Sequence, residues 1–430
     1  MSILSTRRLI ASITLALLSM RFRRLVGPKL GDRYRCRGKA KQGSSMQHPG
    51  RAQILHLGFE DFRRPGNGGG SIRTHEMNRR LAAHYEITVL VAQFKGSVDR
   101  VEDGVRYIHI GRPWGYFGSI ITYFVAVPFQ IRRHEARLVV EDFAAPVSSC
   151  LSPLWSRKPH LAMVQWLNAK HKSKQYHLPF WLIESLGLWL HTNYIAVSRE
   201  LADTIAARRS GAIVDVIANG VPPMAFGESL GKVRKDIVFL GRVEREQKGL
   251  DLLLDAYSRV APHTSDDLLL IGDGPDEQWA RSRVCELNLG ERVQMLGRIE
   301  GAEKVAILSR AGVVAMPSRF ETFGMVAVEA FAAGAAVVCF DIDCLREVVP
   351  EVLGDRVTPF DIDGYAEALL RRLSTDSDTD LGTAWQVESR RRNFALDYDW
   401  DVLANRQKLV YDRFTRLHDD SCDSHNSGPR

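Results

Sequence analysis

The sequence is poor in cysteine, and its cysteines are not arranged to bind metal. Six occur among 430 residues, with no C-x-x-C pair and no histidine at metal-ligand spacing; they are Cys36, Cys150, Cys285, Cys339, Cys344 and Cys422. This pattern excludes the common zinc-binding modules and fits a reducing compartment. Cys285 and Cys339 lie in apolar helix or strand patterns, which predicts that both thiols are buried.

The amino-terminal apolar segment is too short to cross a membrane. Leu9 to Met20 is apolar apart from two serines and one threonine, whereas a membrane-spanning helix needs about 20 apolar residues. Arg7-Arg8 precedes the segment as in an export signal, but no small-x-small cleavage site follows it. The sequence therefore predicts a cytoplasmic protein.

Acidic residues are almost missing from residues 1–45. This segment has eleven lysines and arginines against Asp32 alone, so the net charge of +7 leaves about −3 for the rest of the chain. A nucleic-acid partner is therefore not expected. Two interpretations of the segment stay open. It is either a basic anchor in peripheral contact with the anionic inner face of a membrane, or an untranslated or disordered extension before a start at Met46.

The first half of the chain lacks the dinucleotide-binding fingerprint. A strand pattern at Ile54 to Leu57 leads into a glycine-rich loop, a helical pattern and a second strand, which together predict a βαβ unit. The loop does not have the spacing G-x-G-x-x-G, and Ala92-Gln93-Phe94 stands where an acidic residue would end the second strand. These differences argue against a nicotinamide or flavin site.

Strand and helix patterns alternate in two successive halves. The first series ends at the turn Asn219 to Pro223, and a new series begins at Ile237. This predicts an α/β protein with two Rossmann-like, doubly wound domains that face a cleft. The predicted parts are an extension (1–50), a first Rossmann-like domain (51–222), a second Rossmann-like domain (223–395), a carboxyl-terminal helix (396–417) and a disordered tail (418–430).

The most informative motif runs from Ser318 to Gly334, between two apolar runs with strand patterns. Glu321 is predicted on the loop at a strand's carboxyl end, and Glu329 two turns into the following helix. The N–H groups of Phe323 to Val326 lie at the predicted helix start, which attracts phosphate. Two carboxylates beside such a site suit a nucleotide that carries a sugar. The alternative is a helix whose two acidic residues merely face solvent.

This motif resembles the E-x7-E signature of the retaining GT-B glycosyltransferases of family four, also called glycosyl transferases group 1. The resemblance implies that Glu329 holds the ribose hydroxyls and that Glu321 touches the transferred sugar. It also implies that the donor's diphosphate is held by the backbone of Thr322, Phe323, Gly324, Met325 and Val326.

A second motif resembles the phosphate-binding arginine and lysine of the same family. It consists of Phe239-Leu240-Gly241-Arg242 followed by Lys248-Gly249-Leu250. Two cations on one loop would neutralise a diphosphate whose negative charge grows as the glycosidic bond breaks. The resemblance implies that the catalytic residues are Arg242, Lys248 and Glu321. The further donor-binding positions that it implies are Gly69, Gly70, Gly272, Arg298 and Ile299.

One strand end departs from the family pattern. Many relatives have a histidine near the transferred sugar at a position where this chain has Gln165. The candidates for the missing role are Asn168, His171, His177, Glu141 and Asp142, and the sequence does not choose among them.

The resemblance implies a hexosyltransferase that moves a sugar from a nucleotide-diphosphate sugar to the hydroxyl of a glycan, lipid or small molecule, as in cell-envelope polysaccharide synthesis. It implies neither a cofactor nor a metal. Asp341-Ile342-Asp343 is a rival feature, since a D-x-D pair could hold Mg²⁺ in another transferase fold. The alternative functions are a nucleotide-sugar isomerase or epimerase, a non-catalytic nucleotide-binding protein and a membrane-associated scaffold.

Overall fold

The computed structural model describes residues 50–416 except 145–148, 168, 171–172, 174–176, 178, 227–233 and 379–380. The predicted extension and tail, as well as Asn168 and His171, lie outside the described residues. Ala52–Leu167 and the chain from Leu182 onward form one compact unit. Among the described residues of 168–181, the Oγ of Ser173 donates to the carbonyl of Ala169 at 2.6 Å.

The first half of the chain forms an eight-stranded sheet. Its strands are β1 (Gln53–Leu57), β2 (Glu86–Ala92), β3 (Arg100–Glu102), β4 (Val105–Ile110), β5 (Leu138–Phe143), β6 (His160–Val164), β7 (Asn193–Ala196) and β8 (Ile213–Val216). They lie in the order β3-β4-β2-β1-β5-β6-β7-β8. Only the β3–β4 pair at the edge is antiparallel. The central strands are apolar on both faces because helices cover both sides of the sheet.

Among the described residues of this half, four α-helices connect the strands. They are α1 (Gly69–Leu81), α2 (Gly115–Arg133), α3 (Phe180–Leu190) and α4 (Arg199–Arg208). Helix α4 begins at Ser198, whose side chain accepts a hydrogen bond from the backbone N–H of Leu201. Helix α1 begins at Gly68 without a side-chain cap, which leaves the first N–H groups of this helix for another acceptor.

The second half forms a six-stranded parallel sheet in the order β11-β10-β9-β12-β13-β14. Its strands are β9 (Lys235–Leu240), β10 (Leu268–Ile271), β11 (Val293–Gly297), β12 (Ala311–Met316), β13 (Ala336–Phe340) and β14 (Asp355–Val357). Its helices are α5 (Leu250–Val260), α6 (Glu277–Glu286), α7 (Gly301–Arg310), α8 (Met325–Ala332), α9 (Asp343–Val348), α10 (Ile362–Asp378) and α11 (Leu381–Leu396).

The last helix, α12 (Trp400–Arg416), packs against α1 of the first half. The ring of Tyr411 lies 5.7 Å from that of Tyr85 in an edge-on contact, and the hydroxyl of Tyr85 donates to Asp412 at 2.6 Å. A second link joins α4 to α9, where the backbone N–H of Arg199 donates to Glu347 at 2.8 Å. The two halves are thus tied together by the carboxyl-terminal helix as well as by the linker.

The predicted α/β architecture with two parallel, doubly wound sheets is confirmed. Two details differ. Helix α8 begins at Met325, so Glu329 is the fifth residue of the helix instead of lying two turns into it. The prediction that Cys285 is buried is wrong, although Cys339 is buried as expected. Ala280 and Val284 form the buried side of α6, and Cys285 is turned by about 100° from Val284 around the helix.

Among the described residues, no helix is both long enough and apolar enough to span a membrane.

Candidate functional site

The loops after β9 and β12 meet through an ion pair between Lys248 and Glu321. The Nζ of Lys248 lies 2.5 Å from Oε1 of Glu321, and the Oγ of Ser318 donates to the same oxygen at 2.9 Å. The two charged side chains are only 18% and 9% exposed. The structure therefore brings together two of the three predicted catalytic residues. Ser318 adds a donor that its spacing of three residues from Glu321 could have revealed.

Gly249 allows these two loops to approach. Its φ of +67° starts α5, and a Cβ atom there would lie 2.0 Å from the carbonyl oxygen of Pro317. Only glycine fits both the conformation and the space. On the other side of the contact, the backbone N–H of Arg319 donates to Gln247 at 2.8 Å. The position of Lys248 beside Glu321 is thus fixed by backbone packing.

Helix α8 presents its amino terminus close to this ion pair. Gly324 caps the helix with a φ of +91°, and a Cβ atom there would lie 2.6 Å from the side chain of Leu345. The side chain of Phe323 is buried, whereas Thr322, Met325 and Val326 are partly exposed. The first N–H groups of a helix lack intrahelical acceptors and carry a partial positive charge, which is the arrangement that binds phosphate.

Glu329 lies on α8 and pairs with a residue that the sequence did not reveal. The Nζ of Lys304 on α7 lies 2.9 Å from Oε1 of Glu329, and the side chains are 24% and 14% exposed. Both residues line a cavity whose other walls are mostly apolar, among them Met224, Val305 and Leu308. Nothing local in the sequence points to Lys304, because the contact depends on how α7 packs against α8.

Three further predicted positions lie on neighbouring loops. Gly272 has a φ of +139°, and a Cβ atom there would lie 1.9 Å from the carbonyl oxygen of Gly241. Its N–H donates to Gly297 at 2.8 Å, so Gly272 joins the ends of three strands. The guanidinium of Arg298 bonds to Glu300 at 2.8 Å and is mostly exposed, while Ile299 packs partly against the core.

Arg242 is not part of the Lys248–Glu321 contact. Its guanidinium lies 3.2 Å from a carboxylate oxygen of Glu244, and the side chain is 59% exposed. An arginine with that exposure retains its rotamer freedom. Arg242 therefore lies on the predicted loop with its charge directed at a neighbouring acid.

In the first half, Gln165 contacts the glycine loop. Its Nε2 donates to the carbonyl of Gly70 at 3.4 Å. Gly68 and Gly69 are exposed, and a Cβ atom at Gly69 would meet nothing within 4 Å. There is room above Gly69 for a ligand to approach the backbone.

The loop before these glycines is anchored at the sheet edge by Asp61. Its carboxylate accepts from the guanidinium of Arg100 at 2.7 and 2.8 Å and contacts Nε2 of His109 at 2.8 Å. Burial opposes ionisation of Asp61, but the hydrogen bonds from Arg100 and His109 hold its pKa well below the usual range. Burial likewise opposes the charge on His109, but Asp61 and Asp99 outweigh it and raise the pKa of this imidazole.

Two of the candidates for the role of the missing histidine already form hydrogen bonds within the fold. Glu141 is fully buried and accepts from the backbone N–H groups of Cys150 and Ser152 at 2.6 and 3.0 Å. Asp142 accepts from the hydroxyl of Thr74 at 2.8 Å and contacts His56 at 3.0 Å. Both carboxylates therefore stabilise the fold through these contacts.

His177 is exposed with a φ of +53°, and the structure shows no task for it.

The D-x-D pair is engaged by an arginine. Asp341 and Asp343 accept from the guanidinium of Arg346 at 2.8 and 2.9 Å. The part of the chain that the structure describes contains no cluster of three or more histidine, cysteine or acidic side chains suited to a metal ion.

Comparison with known proteins adds to this geometry. The family described as "Glycosyl transferases group 1" matches residues 234–375. The phosphatidyl-myo-inositol mannosyltransferase of Mycobacterium leprae is 35% identical over 206 residues, which are 47% of this chain and 52% of that protein. The glycogen synthase of Mycobacterium tuberculosis is 28% identical over 203 residues, 46% of this chain and 48% of that protein. The chain thus spans about half the length of the curated relatives that it matches.

Solved structures agree over most of the chain. Sucrose-phosphate synthase from Thermosynechococcus elongatus superposes with a TM-score of 0.70 at 22% identity, covering 85% of this chain and 100% of that one. Anabaena HepE in complex with UDP and glucose superposes with a TM-score of 0.66 at 18% identity, covering 84% and 100%. The fold is that of the GT-B glycosyltransferase structures. Residues 234–375, which include all six strands of the second sheet, are similar to glycosyl transferases group 1.

Proposed function

We propose that this protein transfers a sugar from a nucleotide-diphosphate sugar to an acceptor hydroxyl, with retention of the anomeric configuration. The observation that carries the proposal is the contact between Lys248 and Glu321 beside the amino terminus of α8. A cation, a carboxylate and a row of backbone donors lie together at the carboxyl ends of parallel strands. This is where open α/β sheets bind their ligands.

Each group then has a task that its chemistry suits. Lys248 has three N–H donors, and its contact with Glu321 uses one of them. The others donate to the donor's phosphate, together with the backbone of Phe323 and Gly324, while Glu321 accepts from a hydroxyl of the transferred sugar. Arg242 lies on the same loop and supplies a second positive charge. These groups stabilise the diphosphate most strongly when it leaves, because its charge is then greatest.

The proposed reaction takes place on one face of the sugar. The bond between the anomeric carbon and the phosphate oxygen breaks with its electron pair on the phosphate, through an oxocarbenium-like centre. The acceptor oxygen forms its bond to the same carbon from the same side, and its proton passes to the departing phosphate oxygen. In this scheme no protein side chain becomes covalently attached to the sugar.

We also propose that the protein needs no bound cofactor or metal ion for this step. Lys248 and Arg242 carry the positive charge that a metal would otherwise supply to the diphosphate. The nucleotide-diphosphate sugar is a substrate in this scheme. The HepE structures with UDP and with UDP-glucose support UDP-sugars as the first donors to test.

The acceptor is proposed to be a lipid-linked or glycan hydroxyl at the cytoplasmic face of a membrane. One relative is named for mannosyl transfer to phosphatidyl-myo-inositol, and residues 1–45 are strongly basic. In addition, α3 turns Leu182, Leu186 and Trp189 outward with exposures of 48%, 43% and 64%. Apolar side chains with a tryptophan on one helix face suit the headgroup region of an anionic membrane.

The experiment is a transfer assay with UDP- and GDP-sugars and a panel of lipid and glycan hydroxyl acceptors. Release of nucleoside diphosphate together with an α-linked product from an α-linked donor would support the proposal. An inverted product would refute retention. Interconversion of the nucleotide sugar without any acceptor would identify an isomerase instead.

A further inference from the structure

The cavity beside α7 contains one ion pair between otherwise mostly apolar walls. Lys304 and Glu329 contribute the charges, and Val305, Leu308 and Met224 contribute apolar surface. Ligand sites are typically apolar with a few convergent polar groups. The polar groups here are partly exposed toward the cavity, with 24% and 14% of the two side chains accessible.

The pair leaves hydrogen-bonding capacity unused. Nζ of Lys304 lies 2.9 Å from Oε1 of Glu329, and no other hydrogen bond of either side chain occurs among the described residues. Two N–H groups of the ammonium and the second carboxylate oxygen are thus available. A partly exposed pair of this kind adds little to folding stability. Its unused donor and acceptor groups line the cavity and suit a ligand that has both kinds of group.

We infer that Lys304 is a nucleoside-binding residue that completes a ribose-diol site with Glu329. A vicinal diol offers hydroxyl hydrogens and hydroxyl oxygens on adjacent carbons. Glu329 accepts from one hydroxyl through Oε2, and Lys304 donates to the oxygen of the other. Because Lys304 also holds Oε1, it fixes the orientation of the carboxylate before the ligand arrives. This inference rests on the proposed function, since it assigns a role within the same donor site.

The pairing predicts discrimination against sugars that lack a hydroxyl. A polar group that is largely shielded from water and loses its partner costs more free energy than one hydrogen bond contributes to stability. UDP should therefore bind the wild-type protein at least about tenfold more tightly than 2′,3′-dideoxy-UDP. If the protein binds GDP and does not bind UDP, the experiment compares GDP with 2′,3′-dideoxy-GDP instead.

The test is calorimetric titration of both nucleotides against the wild type, Lys304→Met and Lys304→Arg. Lys304→Met should reduce the ratio of the two dissociation constants at least about fivefold, and Lys304→Arg should restore part of it. Lys408→Met is the matched control, because Lys408 forms a similar pair with Asp412 at 2.9 Å on α12, with exposures of 27% and 15%. The control should keep the wild-type ratio, and melting temperatures verify that all variants are folded.

The outcomes separate this inference from the proposed function. An unchanged ratio in folded Lys304→Met would overturn the role of Lys304 while leaving the donor site in place. Failure of the wild type to bind any nucleoside diphosphate would overturn both. A proportional loss of affinity for ribose and dideoxyribose nucleotides would show a merely structural role of Lys304 and would also reject the inference.

Discussion

The ammonium of Lys248 lies 2.5 Å from the carboxylate of Glu321, a residue 73 positions further along the chain. The contact follows from the order of the sheet, in which β9 and β12 are parallel neighbours. Their carboxyl ends share one edge, so the loops that follow them must meet there. Gly249 removes the side chain that would otherwise keep these loops apart.

Replacing Lys248 by alanine should lower kcat about 100-fold or more. Loss of a preorganised donor to developing charge costs about 3 kcal/mol of transition-state stabilisation. The variant also leaves Glu321 without its cation. Steady-state kinetics with the identified donor measures the effect. Arg245→Ala is the control, since Arg245 lies on the same loop but bonds to Asp276 at 3.1 Å. Equal turnover in Lys248→Ala and wild type would exclude the phosphate role.

Replacing Glu329 by alanine should weaken the binding of nucleoside diphosphates about tenfold or more, because a carboxylate that accepts from a hydroxyl contributes about 1.5–3 kcal/mol. Inorganic pyrophosphate, which lacks the ribose, should bind both proteins equally. Calorimetric titration of a nucleoside diphosphate and of pyrophosphate into the wild type and Glu329→Ala measures both affinities. Glu286→Ala serves as a control, because Glu286 is exposed and pairs with Arg283 on the surface of α6. Equal nucleotide affinity in Glu329→Ala would count against the ribose contact.

Gly272→Ala should destabilise the fold by at least about 2 kcal/mol. The added Cβ would overlap the carbonyl oxygen of Gly241, and φ is +139°. Gly290→Ala is the matched control, since a Cβ atom there would meet nothing within 4 Å and its φ lies outside the strained range. Chemical denaturation of the two variants gives the comparison. A Gly272→Ala protein as stable as the control would mean that this glycine is not required for packing.

The contribution of His109 to stability should decrease between pH 6 and pH 9. Its pKa in the folded state is raised above the ordinary value of 6.5, so the folded state binds the proton more tightly than the unfolded state. The contribution is therefore complete at low pH and is lost as the pH rises through the folded-state value. Denaturation of the wild type and His109→Gln at both pH values should show a smaller difference at pH 9. A difference independent of pH would contradict the charged contact with Asp61.

Removal of divalent cations should leave the transfer reaction intact. Asp341 and Asp343 are bound to Arg346, and the proposed site places lysine and arginine beside the diphosphate. Rates measured in excess EDTA should equal those in Mg²⁺. A loss of activity that added Mg²⁺ restores would point to the D-x-D pair and against the proposed mechanism.

The sequence predicted the elements that have strong local signals. The strand patterns at Ile54 to Leu57 and from Ile237, and the apolar runs on both sides of the motif Ser318 to Gly334, coincide with β1, β9, β12 and β13, because hydrophobic periodicity is a local signal. Strand β3 and strand β14 were missed, since three-residue strands leave almost no pattern. Helices α10 and α11 are not among the elements that the sequence analysis predicts.

Contacts between distant elements could be predicted only where a motif marked both partners. Lys248 and Glu321 were both identified, and the order of the strands then brings them together. Lys304 was missed because its partner is 25 positions away on another helix. The candidates Glu141 and Asp142 lie within β5, which extends to Phe143. Glu141 is buried there, and backbone N–H groups donate to its carboxylate.

The most direct measurement is a crystal structure of the protein with a bound nucleoside diphosphate. The account predicts phosphate oxygens within hydrogen-bond distance of Nζ of Lys248 and of the backbone N–H groups at the start of α8. A nucleotide bound at another place, with Lys248 still engaged only by Glu321, would contradict it.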